Sequence, residues 1–145
     1  MQEEFIVSEV SWNDACDLLK QVREKVFVLE QRVSTQIEID GRDPVCYHVL
    51  VKTKQGEPIG TGRLSPEGKI GRVSVLMPYR GLGLGSKILQ ALLNIADREQ
   101  LSPVKLHAQI QAIDFYERHQ FVANGPVFME AGIPHQTMKR YSSQP

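Results

Sequence analysis

The chain has 145 residues, 41% of them hydrophobic and 23% charged, which suits one domain with a buried core. Lys+Arg 17 balances Asp+Glu 17, so no bulk field draws it to nucleic acid or an anionic membrane. No stretch approaches the roughly 18 apolar residues of a membrane span, and the start MQEEFIVSEV lacks the basic and apolar parts of a secretory signal, so a cytoplasmic protein is expected.

Residues 4–10 (EFIVSEV) read as a short strand. Ser11 and Asp14 then open a helix as a capping box, and Ala15, Leu18, Leu19, Val22 and Val26 recur at helical spacing on its buried face. VSTQIEIDGRDP is expected to be a loop. CYHVLVKT and PIGTGRLS form a hairpin across Lys54-Gln55-Gly56-Glu57, and Pro66-Glu67-Gly68 turns the chain into a third antiparallel strand, KIGRVSVLM. From 81 to 98 the period becomes helical, with Leu84, Ile88, Leu92 and Ile95 in a stripe widened by Leu89, Ala91 and Ala96. VKLHA is a strand with Lys105 and His107 on its polar side, AIDFYERHQ a short helix, and FVANGPVFME and HQTMKRY two further strands. This order predicts an α/β protein with a mixed sheet between helices.

The stretch from Arg80 to Ser86 places glycines at 81, 83 and 85 where strand gives way to helix. Small residues let main-chain amides approach a diphosphate, the helix start supplies a positive dipole end, and Arg80 adds a charge. The spacing is neither that of a P-loop, since Ser86 stands between Gly85 and Lys87, nor G-x-G-x-x-G. A bare strand-to-helix turn would not require all three glycines.

Arg80-Gly81-Leu82-Gly83-Leu84-Gly85 resembles the acetyl-CoA motif [RQ]-x-x-G-x-[GA] of the GNAT N-acetyltransferase superfamily, and Val73-Ser74-Val75 and Ala112-x-x-Phe115-Tyr116-Glu117 resemble its flanking patterns. VFVLEQ at 26–31, Glu38-x-Asp40-x-x-Asp43 and the run from Phe128 to His135 resemble the ElaA-like branch. The resemblance implies that residues 1–145 form a single GNAT-like domain. Its sheet would be mostly antiparallel, with one splayed strand pair and helices on both faces. It also implies acetyl-CoA as co-substrate and a small-molecule or peptide amine as acceptor, with no metal and no nucleic acid partner.

On that resemblance Val73, Ser74 and Val75 would hold the pantetheine arm, and Arg80, Gly81, Leu82, Gly83, Leu84, Gly85 and Ser86 the phosphates. Gln109, Phe115 and Tyr116 would complete the coenzyme site, with Gln109 standing where the family has Asn and Gln120 where it has Gly. Tyr116 is the candidate acid; His107, Glu130, His135 and Glu30 are candidates for the base or amine anchor. The four histidines do not pair at metal-ligand spacing, and His48 and His119 are expected to be structural. Trp12 is expected to pack at the helix start, Cys16 and Cys46 to be small buried hydrophobes, and Glu38, Asp40 and Asp43 to form a solvated acidic loop, able to attract a cationic amine. An exposed C-terminal strand would permit a homodimer. The competing functions are a non-catalytic acyl-CoA sensor and a nucleotide-binding domain.

Overall fold

The computed structural model describes residues 4–31 and 41–142, with the side chains of 28–30 excepted. Seven strands form one sheet in the order β1-β2-β3-β4-β5-β7-β6. They are β1 (Phe5–Val10), β2 (Tyr47–Thr53), β3 (Pro58–Leu64), β4 (Lys69–Val75), β5 (Val104–Gln109), β6 (Val122–Glu130) and β7 (Ile133–Arg140). The helices are α1 (Trp12–Arg23), which runs on as π-type turns over Glu24–Glu30, α2 (Leu84–Arg98) and the short α3 (Ile113–Glu117). Every neighbouring pair is antiparallel except β4 with β5. The expected order of elements and the splayed mixed sheet are thus present.

Period-2 alternation in β2 sorts side chains between two layers. Leu50 packs with Ala15 and Leu19 of α1, whereas Val49 and Val51 join the larger core built on Leu84, Ile88, Leu89 and Leu92 of α2. Close contact of α2 depends on a missing side chain. A Cβ at Gly62 would lie 2.7 Å from Ile88 Cγ2 and 2.8 Å from Leu92 Cδ1. At the start of α1, the Asp14 amide donates to Ser11 Oγ at 3.2 Å, and among the described residues no return bond completes the box.

Three expectations are corrected. The C-terminal strand is not the free one: β7 lies between β5 and β6, and β6 forms the exposed edge. Cys16 and Cys46 are only partly buried. Asp43 is not solvated: it is 5% exposed and receives both Arg23 at 2.8 Å and Arg63 at 3.1 Å on Oδ1, while Glu38 and Asp40 fall outside the described residues. His48 completes this cluster, its Nε2–H donating to the Asp43 carbonyl at 2.8 Å and its Nδ1 facing Arg23 Nη2 at 3.3 Å. Desolvation holds its pKa below the usual range, so the neutral ring is the one that fits. Trp12 covers the cluster, 5.4 Å from the His48 ring and 5.5 Å from the Arg23 guanidinium.

No described helix is long and apolar enough to cross a membrane. After α3, Gln120 takes the left-handed conformation, φ 72°, that glycine adopts most readily. Gln120→Gly is therefore expected to raise unfolding free energy by about 0.5–1 kcal/mol, read from urea melts; an unchanged midpoint would mean that the strain is absorbed elsewhere.

Candidate active site

β4 and β5 pair only through Lys69↔Lys105 and Ile70↔Leu106. Beyond Ile70, β4 carries a bulge: Ser74 faces Thr61 and Gly71 faces Arg63, so Gly62 opposes both Arg72 and Val73. Arg72 accommodates the extra residue at φ 56°. The Leu76 amide donates to Ile59 on β3 at 2.9 Å. By strand alternation the main-chain groups of Val75 and Val73 then face the gap toward β5. Ser74 does not face it: its hydroxyl is buried on the α1 side of the sheet.

A helical turn over Met77–Tyr79 leads into the glycine loop, where Gly81 (φ 81°) and Gly83 (φ 78°) are both left-handed. Arg80 Nε donates to the Val75 carbonyl at 2.8 Å, fastening the loop to the end of β4. Gly83 caps α2 without a side-chain bond, and no acid stands in the first turn, so the helix start keeps free amides and a positive field. A Cβ at Gly81 or Gly83 would meet nothing within 4 Å. This open cradle fits a diphosphate. Leu84, 2% exposed, anchors the loop in the core, while Leu82, 53% exposed, points outward. Phe115 lies beneath Gly85, where an added Cβ would come within 3.6 Å of its Cζ, and Ser86 Oγ is engaged with His119 Nε2 at 3.1 Å. Gly83→Val is expected to weaken coenzyme A binding at least about tenfold, since a left-handed valine costs ~1–2 kcal/mol and its side chain would enter the cradle. Calorimetry on protein shown by circular dichroism to be folded checks this; native affinity would remove the cradle assignment.

On the other side of the gap lies a cleft of about 450 Å³. Tyr116, His107, Glu130 and His135 all line it, so four of the five candidate catalytic residues converge. Glu30, the fifth, lies outside the described side chains. The convergence comes from strand order, because β7 brings β5 and β6 to its two sides. His107 Nδ1 donates to Glu130 Oε1 at 3.0 Å, and His135 Nε2 lies 3.8 Å from Glu130 Oε2. His135 Nδ1 donates to the Ile133 carbonyl at 2.7 Å. Phe128 stands edge-on to His107 and stacked on His135, with centroids 4.9 Å and 6.1 Å apart. With Nδ1–H held by the carboxylate, a neutral His107 carries its lone pair on Nε2.

Tyr116 enters the cleft from α3, its ring wedged by Phe115 and Phe121 at 5.1 Å and 5.9 Å. Burial pushes its phenol up to about 12. Gln109 also lines the cleft and is held at both ends of its amide, donating to Gln31 Oε1 at 3.1 Å and accepting from Gln111 Nε2 at 2.7 Å. His119 stays outside the cleft lining, with its pKa lowered by desolvation and by Arg118 and Arg140. The cations Arg63, Lys69 and Arg72, which also line the cleft, were not singled out in the sequence. Only the bulge could have pointed to Arg72, and it leaves no clear sequence mark.

The sequence model described as Acetyltransferase (GNAT) domain matches residues 16–142. YyaT and the uncharacterized N-acetyltransferase YjcF, both of Bacillus subtilis, are each 38% identical to this chain. The first alignment covers 86% of this chain and 87% of its relative, the second 82% and 87%. Among solved structures, Escherichia coli ElaA is 30% identical with a TM-score of 0.83, covering 93% of this chain and 99% of that one. An acyl-CoA N-acyltransferase from Pseudomonas aeruginosa is 34% identical with a TM-score of 0.79, covering 96% and 99%. With the match running across the cradle, the splayed strands and the cleft alike, the chain belongs to the GNAT acetyltransferase family.

Proposed function

We propose that the chain is an acetyl-CoA-dependent N-acetyltransferase that acts on a primary amine of a small molecule or peptide by direct attack in a ternary complex. The observation that carries this reading is the alignment of three features along one gap: the open cradle at Gly81 and Gly83, the gap-facing edge of β4 at Val73 and Val75, and the cleft holding His107, Glu130 and Tyr116. Acetyl-CoA, when bound, supplies the acetyl group as a thioester whose C–S bond is exchanged for the C–N bond of the product.

The chain supplies binding, orientation and proton handling. Amides of the loop and the start of α2 hold phosphate oxygens, and the β4 edge orients the arm as an added strand. His107 Nε2 takes the proton of the attacking amine. Glu130 fixes the tautomer through Nδ1–H and stabilises the imidazolium once it forms, as a carboxylate does for any histidine base. Tyr116 Oη, protonated throughout the neutral range, holds the proton that a departing thiolate needs.

The test mixes the purified protein, acetyl-CoA, a panel of amines and a thiol-reactive dye. Amine-dependent thiol release is expected. Thermal stabilisation by coenzyme A without release from any amine would instead mark a non-catalytic acyl-CoA-binding module, and stabilisation by ATP or NAD alone a nucleotide-binding domain.

A further inference from the structure

We propose that Gln31 positions the acceptor: its carboxamide, turned into the cleft by the π-type turns and held by Gln109, donates an Nε2–H to an oxygen near the reacting amine. The inference rests on the acetyltransferase reading above and adds the chemical class of the acceptor, an amine that bears a carbonyl or alcohol-type oxygen a few bonds away.

The buried face of α1 runs through Ala15, Leu19, Val22 and Val26. At about 100° per residue, an α-helix would carry position 31 about 140° round from Val26, away from the core. The chain does otherwise. The Gln31 amide donates to the Val26 carbonyl at 2.9 Å, five residues back, and closes a wide turn. Such a turn brings position 31 back toward the side of Val26, and Gln31 lines the cleft together with Phe27. The wide turns over Glu24–Glu30 give up the regular α-helical ladder, a departure frequent at functional sites.

Three carboxamides then run head to tail. Gln111 Nε2 donates to Gln109 Oε1 at 2.7 Å, and Gln109 Nε2 donates to Gln31 Oε1 at 3.1 Å. Gln109 is the last residue of β5 and stands opposite His135 of β7, so the sheet fixes its backbone. With its oxygen engaged, Gln31 presents its nitrogen, which carries two donors. Among the described residues no group accepts from Nε2. A donor already held in place loses little freedom when an oxygen binds it. A plain alkyl chain leaves that donor without a partner, and this difference is what selects the acceptor.

Position ties the donor to the reaction. Gln109 follows His107 by two residues on the same face of β5, about 7 Å along the strand. An amine at His107 Nε2 therefore has the Gln31 carboxamide within the length of a short carbon chain.

The test uses two matched pairs whose oxygens accept but do not donate. 3-Methoxypropylamine is set against pentylamine, and 3-amino-N,N-dimethylpropanamide against 4-methylpentylamine. Within each pair kcat/KM is written as the ratio of the oxygen-bearing amine to its hydrocarbon match, so differences in amine basicity cancel when proteins are compared. Gln31→Glu keeps the shape and still accepts from Gln109, but it has no donor. At least one ratio should fall about fivefold from wild type to this variant, the size of one neutral hydrogen bond, and the pair affected distinguishes an alcohol-type oxygen from a carbonyl. Gln109→Leu, which releases Gln31, should lower the same ratio. Coenzyme A affinity, read by calorimetry, should stay within about twofold in Gln31→Glu. Ratios unchanged in either variant overturn the inference. A loss of coenzyme affinity with unchanged ratios also overturns it, by assigning the three carboxamides to the coenzyme. If no amine is turned over, the acetyltransferase reading fails first. Gln31 is then judged by calorimetric affinities of the same four amines with coenzyme A saturating. The oxygen-bearing preference should again be about fivefold greater in wild type than in Gln31→Glu; equal preferences overturn the inference.

Discussion

Tyr116→Phe is expected to lower kcat about a hundredfold while coenzyme A affinity stays within about twofold. The substitution deletes one oxygen and keeps the ring. Packing against Phe115 and Phe121 is therefore retained, as is the shape of the cleft wall. What is lost is a proton that burial holds on the phenol up to about pH 12. Steady-state kinetics with calorimetry on the same preparation separates the two quantities. An unchanged kcat would retire the acid role and leave Tyr116 as a packing residue. The same group predicts a stability signature. The unfolded chain, with a phenol near 10.0, releases this proton before the folded one does. Stability owed to Tyr116 is thus whole below pH 10 and is lost as the pH climbs toward 12. The loss should be smaller in the phenylalanine variant, as read from urea melts across that range.

Asp43→Ala is expected to cost about 3–5 kcal/mol of folding stability, the largest single loss foreseen for a polar residue of this chain. One carboxylate, 5% exposed, neutralises Arg23, which is 1% exposed, and steadies Arg63 as well. Removing it takes from a buried guanidinium the carboxylate it bonds at 2.8 Å. Urea melts read the loss directly; a change below about 1 kcal/mol would show that water reaches Arg23 freely. Because Arg63 also lines the cleft, a variant that still folds should bind acceptor less well than its coenzyme affinity suggests.

Much of the fold was legible because local signals agreed with the tertiary result. The α2 stripe from Leu84 to Ile95 is buried as its period requires, and both hairpin turns fall on their glycines. The left-handed turns at 81 and 83 were legible for the same reason, since glycine there reports a backbone need directly. Asp43 misled because its partner Arg23 lies 20 residues away, a separation that carries no periodic signature. The candidate catalytic residues could be picked out as residue types but not as a constellation. His107 and Glu130 become neighbours only because β7 slots between β5 and β6, an exchange of strand order that sequence order conceals.

One feature of the β6–β7 hairpin bears on how such a protein diversifies. Its tip, Ala131-Gly132, takes φ 52° and 75°, a tight two-residue reversal that pins Glu130 on one side and Ile133 on the other. The proposed coenzyme cradle is encoded some fifty residues upstream, on other elements. A short insertion or exchange at this tip would reorient the carboxylate beneath His107 while leaving the cradle untouched. Lineages could thereby retune their nucleophile preference through one hairpin, with the donor half inherited unchanged.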